Sequence, residues 1–565
     1  MTAVLFLILG LLLWVVYPRV RPGASWVCPV LALALPFAAG GFHTATAGVL
    51  SAFLLLALWE RRQKLCFHGT RHTTAVLLVF AACCLTPLWA ADKGMAAFGI
   101  VRFLPPVLFA LLAMADPSVP EDTLKWIPFS GCLMTVLSLV LLPLLPEELT
   151  VNGRLAGFFQ YPNSFAAFLL CGLVLRGMGE KRRWDLPVYL ILMVGIVLSG
   201  SKTVFVLTVA AVLTMAVLRR QKWLMLALSL AIGLGAGLLA QRLGLLHQAD
   251  RFTQVSASSG TFLVRLLYYR DVLPAILKHP FGMGYLSYPA IQGTIQTGRY
   301  SVTYLHNGLL QLLLDYGWLP GIAMVVSLAT ALLRRNTAPG KRLMLLFLLA
   351  HCLLDFDLEF PIFWLLLLCC LELKAGKPWK LKTWALLPLS LVLLMALWLG
   401  TGDGLYRLGK TEACLKLTPF HTQALTQKLT EADDANAVDA LADRILALCP
   451  THSVACSAKA NAAFARGDML AMMRHKENAI RYAPYTQEEY LDYFRKLYTA
   501  MELYLRAGDE KSALYCRDKL LTIPDLIAGT AQRTTALAHK TGDDPTITLP
   551  QEYTEVLRLL EEGTG

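Results

Sequence analysis

Three kinds of side chain in this sequence could do chemistry together: an imidazole, several cations, and a few amides and carboxylates near them. The imidazole is His306, in "RYSVTYLHNGLLQLLLDYGWLPG", where it stands with Asn307 and Gln311 at the entry to a long apolar run. An imidazole titrates near neutral pH and suits taking a proton from a hydroxyl, or orienting that hydroxyl. The cations are Arg154 in "VNGRLAGFFQYPNSFAAFLL", Lys202 in "LSGSKTVFVL" and Arg265 in "RLLYYRDVLPAILKHPFGMGYLSY". Arginine matches phosphate oxygens bidentately, so such a set suits an anionic, phosphate-bearing group. Each has a plainer alternative. His306 could cap its helix at an interface, Arg154 could snorkel to lipid phosphate, Arg265 could be a solvated loop charge, and Pro162 with Asn163 could be only a turn.

What must position these groups is a membrane protein. The chain has 565 residues, 56% hydrophobic and 16% charged, with mean hydropathy +0.54. No soluble core needs that much apolar residue. Apolar stretches near the spanning length of about 20 residues recur to about residue 400. They predict an all-α, polytopic membrane helix bundle of about 12–14 spans, with segments near 25–40, 306–333 and 359–374 among them. The first apolar run is not a cleaved signal peptide, because its charges, Arg19 and Arg21, follow it. The thirteen cysteines fall mostly inside apolar runs, without a CxxC pair or a Cys/His cluster. Zinc and redox chemistry gain little support from that pattern. No DxD or HExxH motif argues for a metal, and no cofactor is expected.

Lys and Arg divide the short loops unequally. One set holds Arg61, Arg62, Lys64, Arg71, Arg176, Lys181, Arg182, Arg183, Arg219, Arg220, Lys222, Arg334, Arg335, Lys341 and the 374–382 lysines. The intervening short loops hold only Lys93, Arg154 and Lys202. That asymmetry makes the first set cytoplasmic and puts Arg154, Lys202, the long segment of about 241–305 and His306 outside. The long segment has Arg242, Arg251, Arg265, Arg270, Lys278 and Arg299 against Asp250 and Asp271, a net charge near +4. An anionic phosphate-bearing group brings its own negative charge, so fixed cations can do a metal's work on it. A hydroxyl nucleophile needs a nearby base, and both are expected on one face.

Other residues stay open. Arg102, in "AFGIVRFLPPVLF", lies inside a span and should face the bundle or a wet cavity, lining a donor site or pairing with an acid. His351, Asp355, Asp357 and Glu359 read as an acidic rim between two spans, for acceptor binding or structural pairing. Asp315 could orient a cation or serve packing. The chain divides into a transmembrane domain, 1–404, and a polar helical tail, 405–565. In the tail, "ACSAKANAAFARGDMLAMMRHKENAIRYAP" and "YFRKLYTAMELYLRAGDEKSALYCRDKLLTIP" read as tetratricopeptide-like helix pairs, after a degenerate copy, "KLTEADDANAVDALADRILALCP". The tail offers a docking surface for a polymer or protein partner, or simply packs on the large loop.

The ordered motifs carry a resemblance. "GRLAGFFQYPNSFAAFL", "SGSKTVFVL", "RLLYYRDVLPAILKHPFGMGYLSY", "LHNGLLQLLLDYGWLPG" and "AHCLLDFDLEFPIFWLLL" resemble, in order over about 70–375, the motifs of the O-antigen ligase superfamily, which includes polymerases and protein O-oligosaccharyltransferases. The resemblance implies an inverting, metal-independent glycosyltransferase. It would move a glycan from an undecaprenyl-diphosphate carrier to an acceptor hydroxyl on a glycolipid, glycan or protein, at the outer face of the cytoplasmic membrane. Arg154 and Arg265 would contact the diphosphate, with Lys202 and Arg102 beside them. His306 would act on the acceptor proton, with Asn163, Asn307, Gln311 and Asp355 in support. The family usually has Arg where this chain has Lys202, a point charge without a planar fork. Two other outcomes are a polymerase of the same superfamily and, outside enzymes, a lipid-linked oligosaccharide transporter. No nucleic-acid partner is expected.

Overall fold

A computed structural model describes residues 2–244, 260–334 and 336–562. Arg251 and Asp250 of the long segment and Arg335 of a basic loop lie outside the described residues. The chain is helical almost throughout, with only two two-residue β-ladders among the described residues. It divides into two compact units. One comprises Met1–Leu85, Ala97–Ser256 and His306–Leu408; the other comprises Thr86–Ala96, Ala257–Leu305 and Gly409–Gly565.

The first unit is an all-α membrane bundle. Six described helices are long and apolar enough to cross a membrane, and five shorter apolar ones run Thr44–Glu60, Pro162–Met178, Asp185–Leu198, Lys202–Leu218 and Trp318–Leu333. Several expected spans are broken instead. The 25–40 stretch becomes short pieces, Val27–Pro29, Val30–Ala34 and Pro36–Gly41, with Ala38, Ala39 and Gly40 outside helical geometry. Pro29 and Pro36 cannot donate to a helix ladder, and Gly40 takes φ +57°. Irregular backbone at membrane depth is tolerated only inside protein. Accordingly Val30, Leu31, Ala32 and Leu35 are fully buried. The 306–333 stretch breaks at Gly317 (φ +90°) into Gly308–Tyr316 and Trp318–Leu333. The 359–374 stretch keeps only Pro361–Cys369.

Not every loop cation is a solvated collar charge. Lys222 is fully buried: its Nζ donates to the carbonyls of Arg176 (3.2 Å), Gly179 (2.8 Å) and Glu180 (3.2 Å) and pairs with Asp185 (3.1 Å). Asp185 also pairs with Arg176. This staple ties the start of Asp185–Leu198 to the end of Pro162–Met178, the helix that carries Asn163 at its other end.

The second unit gathers the tail with the large loop. Its tail holds helix pairs Thr422–Thr430 with Ala435–Leu448, Ser453–Ala465 with Met469–Tyr482, and Gln487–Arg506 with Glu510–Leu521. Two of the turns are built alike: Gly467 and Gly508 take φ +77° and +76°, and the following Asp468 and Asp509 cap Ala471 N (3.0 Å) and Ser512 N (3.1 Å). Tyr490, Tyr493, Leu497, Met472 and Ile480 centre the tail's core. In the loop, Asp271 accepts from Thr297 N (2.7 Å), Thr297 Oγ1 (2.7 Å) and Tyr300 Oη (2.9 Å), and Arg533 of the tail donates to Gln296 O (2.6 Å).

A buried cation joins two of the tail's pairs. Lys476, 1% exposed, reaches Glu489 (2.5 Å), Asp492 (2.6 Å) and Ser457 Oγ (3.0 Å). Lys476→Met leaves two carboxylates without their shared partner and is expected to destabilise the tail by about 3 kcal/mol, the low end for a broken buried pair because both acids partly reach water. Pulse proteolysis of the full chain, with cleavage sites mapped to 453–521, reads that loss. Burial alone would raise the Asp492 carboxyl, but Lys476 and Lys496 together outweigh it and hold it below the usual range. That stability is present above the unfolded carboxylate value of about 3.9 and is lost as pH falls through the lower folded value. Pepsin should therefore begin to cut the helix Gln487–Arg506 below about pH 4.

Candidate active site

The candidate site lies in the first unit and begins with a hairpin. Asn152 (φ +52°) and Gly153 (φ +68°) form the two-residue turn between the ladder strands Thr150–Val151 and Arg154–Leu155, with Val151 paired to Arg154. Both turn residues need positive φ, which Asn-Gly supplies. Leu155 is buried, and Arg154 beside it is half-buried. After it, Gly157 (φ +54°) turns the chain against Phe165, whose ring would lie 2.9 Å from an added Cβ. Pro162 then starts the helix Pro162–Met178, where a missing N–H costs nothing.

Arg154 is held at two points. Nε donates to Ser199 O (2.8 Å), in the turn that leads to Lys202, and Nη2 donates to Asn163 Oδ1 (2.6 Å). Asn163 passes the contact on, donating through Nδ2 to Asp355 Oδ2 (2.7 Å) and to Tyr161 Oη (3.2 Å). Asp355 Oδ1 accepts from Tyr161 Oη (2.9 Å) and Phe356 N (2.9 Å), and lies 3.3 Å from His306 Nδ1. A hydrogen-bonded chain Arg154–Asn163–Asp355–His306 thus joins three segments far apart in sequence. Asp355 is fully buried, whereas His306 keeps 21% of its side chain exposed.

His306 occupies a left-handed backbone position, φ +52°. Such a conformation costs free energy in most L-residues and persists where neighbours over-determine it. Here Asn307 Oδ1 caps the next helix, accepting from Leu309 N (3.1 Å) and Leu310 N (3.0 Å), and Gly308 N donates to Asp355 O (3.2 Å). The Phe356 ring stands edge-on to the imidazole at 5.1 Å. An ionised Asp355 can only accept, so His306 carries its proton on Nδ1 and Nε2 is the basic nitrogen.

Other expected residues fall as follows. Lys202 opens the helix Lys202–Leu218 and is half-buried, behind a cap in which Ser201 Oγ accepts from Val204 N (3.5 Å). Arg102 is buried inside the bundle, where Nη1 donates to Glu359 O (2.8 Å) and Gly41 O (3.5 Å) and the guanidinium lies 5.0 Å from the Phe42 ring centre. Gln311 donates to the buried Asp315 (2.9 Å). Arg265 is half-buried on the helix Gly260–Lys278 of the second unit. Of the residues read as an acidic rim, His351, Asp355 and Asp357 are buried to 1% exposure or less. His351 Nδ1 meets Asp357 (2.5 Å), which accepts from Ser164 Oγ (2.7 Å). Among the described residues no group of three His, Cys, Asp or Glu side chains could hold a metal ion.

Comparison with known proteins adds one finding: residues 187–326 match the family model described as O-antigen ligase. That segment is similar to the O-antigen ligase superfamily. The matched segment includes Lys202, Arg265, His306, Asn307 and Gln311. Neither the curated proteins nor the solved structures give a match. The matched family points to ligase- or polymerase-type chemistry on glycans.

Two side chains were not singled out from sequence. Tyr161, whose hydroxyl bridges Asn163 and Asp355, packs at a tilt against Phe356 with 4.6 Å between ring centres. His43 lies 3.3 Å through Nε2 from Gln160 Oε1; burial, with the Arg407 charge, lowers it to about 4 and keeps it neutral.

Arg154→Lys is expected to weaken the site well beyond a simple change of cation. A lysine ammonium cannot donate at once to Ser199 O and Asn163 in a fixed plane. Initial transfer rates should fall by about tenfold to a hundredfold, the scale of one lost charge-stabilising donor or slightly below it.

Proposed function

We propose that this chain is an inverting, metal-independent glycosyltransferase of the O-antigen ligase type. It moves a glycan from an undecaprenyl-diphosphate carrier to an acceptor hydroxyl at the outer face of the cytoplasmic membrane. The observation that carries the reading is the hydrogen-bonded chain from Arg154 through Asn163 and Asp355 to His306, because it couples an anion-binding cation to a proton acceptor. In the reaction the acceptor hydroxyl gives its proton to His306 Nε2 as its oxygen bonds the anomeric carbon. The bond from that carbon to the diphosphate breaks from the opposite side, and its electron pair leaves with the diphosphate. Arg154, Lys202 and Arg102 stabilise the charge that develops there. Asp355 holds the imidazole in one tautomer and balances the imidazolium, as a buried carboxylate can.

The Lys and Arg asymmetry of the short loops supports an extracytoplasmic site and tail. The helical tail supplies a surface for a polymer or protein partner. The test is transfer by purified chain in liposomes given a purified lipid-linked glycan and a candidate acceptor. Glycan appearing on the acceptor, with inverted anomeric configuration and lipid diphosphate released, supports the reading. A ladder of lengthening lipid-linked chains identifies a polymerase instead, and movement of intact donor across the bilayer without transfer identifies a transporter.

A further inference from the structure

A cavity of about 710 Å³ in the first unit is lined by none of the residues of the His306 network. Its walls come from Gly69, Thr70, Arg71 and His72, from Thr330, Leu333 and Arg334, and from Glu372, Ala375 and Gly376. The Arg71 guanidinium is exposed and makes no hydrogen bond or ion pair among the described residues. Arg334 pairs with Glu372, so the cavity's one carboxylate is already met and Arg71 is surplus charge. His72 is 6% exposed and fixed through Nδ1 to Ser327 Oγ (2.7 Å), and among the described residues no hydrogen bond engages its Nε2. The cavity therefore presents a net positive, hydrogen-bonding wall.

The surroundings say what covers it. The loop that supplies Glu372 and Gly376 continues through Lys377, Lys380 and Lys382, with Trp379 and Trp384 69% and 66% exposed. Exposed tryptophans among lysines mark the headgroup level of a bilayer. A ladder between Cys66–Phe67 and Trp379–Lys380 ties that loop to the chain just before Gly69. Basic pockets between membrane helices at this level select anionic lipid headgroups. We propose that this cavity binds the phosphate of an anionic phospholipid headgroup, with Arg71 as its principal ligand and Arg334 and His72 along its wall. The site is independent of the transfer reaction and needs only that the chain span a bilayer.

Native mass spectrometry of the purified full chain tests this, with phosphatidylglycerol and phosphatidylcholine of the same acyl chains titrated separately. Phosphatidylglycerol should be retained preferentially, and Arg71→Gln should weaken its retention about fivefold, the scale of one basic residue at an anionic surface. Lys181→Gln, which removes an exposed cation elsewhere, should leave retention unchanged. Equal retention of the two lipids, or no effect of Arg71→Gln, overturns the proposal. An equal loss with Lys181→Gln would show general attraction to the basic surface and overturn it too. So would displacement of the lipid by millimolar inorganic phosphate, which would make the site one for a free anion.

Discussion

Asp355→Asn is expected to lower glycan transfer by about 10²–10⁴, the scale seen when a buried carboxylate partner of a catalytic histidine becomes an amide. The carboxylate accepts from Tyr161, Phe356 N and His306 on one oxygen and from Asn163 on the other. An asparagine must turn its NH₂ toward one of those sides, where it meets only donors. If it faces Asn163, the link back to Arg154 breaks. If it faces His306, the imidazole loses its reason to hold the proton on Nδ1, and Nε2 ceases to be the basic nitrogen. A donor left unpaired in a buried site also costs about 1–3 kcal/mol, so a modest loss of thermal stability should accompany the loss of rate. Initial rates in proteoliposomes and a thermal unfolding curve separate the two effects.

The second large effect is at His306. His306→Asn should reduce transfer by about 10²–10⁴, the contribution of a positioned general base. Asparagine is the informative replacement because the backbone there has φ +52°, which Asn tolerates and most side chains do not. His306→Ala would add backbone strain of about 1–2 kcal/mol and confuse folding with chemistry. An interaction made mainly in the transition state lowers the rate without weakening the ground-state complex. Donor binding, read by crosslinking of a photoactivatable lipid-linked glycan, should accordingly stay within about threefold of the parent chain.

Several parts of this arrangement were legible in the sequence. The residue types pointed to Arg154 and His306, the family resemblance added Asn163 and Asp355, and apolar runs gave the membrane bundle. Their union was not legible, because Asn163 and Asp355 lie 192 residues apart and nothing local encodes that contact. Tyr161 went unnoticed for a related reason: between Gln160 and Pro162 it looked like part of a turn, and its hydroxyl matters only once Asp355 arrives. A local signal for Arg154 was present in Asn152-Gly153, the dipeptide of a two-residue hairpin. Apolar periodicity missed the break at Gly317, since it registers burial and not a φ of +90°. Asp355 and Asp357 read as an acidic rim for acceptor binding or structural pairing, but their partners were not legible; Asn163, Ser164 and His351 let them be buried. Lys222 was likewise counted as a loop charge, although three carbonyls and Asp185 surround it.

The coupling between His306 and Asp355 is the point to measure, by a double-mutant cycle on single-turnover transfer from purified lipid-linked glycan. Residues that work as one unit are strongly non-additive, so His306→Asn with Asp355→Asn should be about as slow as the slower single variant. Two independent losses that multiply in the double variant, or near-normal transfer by His306→Asn alone, would contradict a base held in place by that carboxylate.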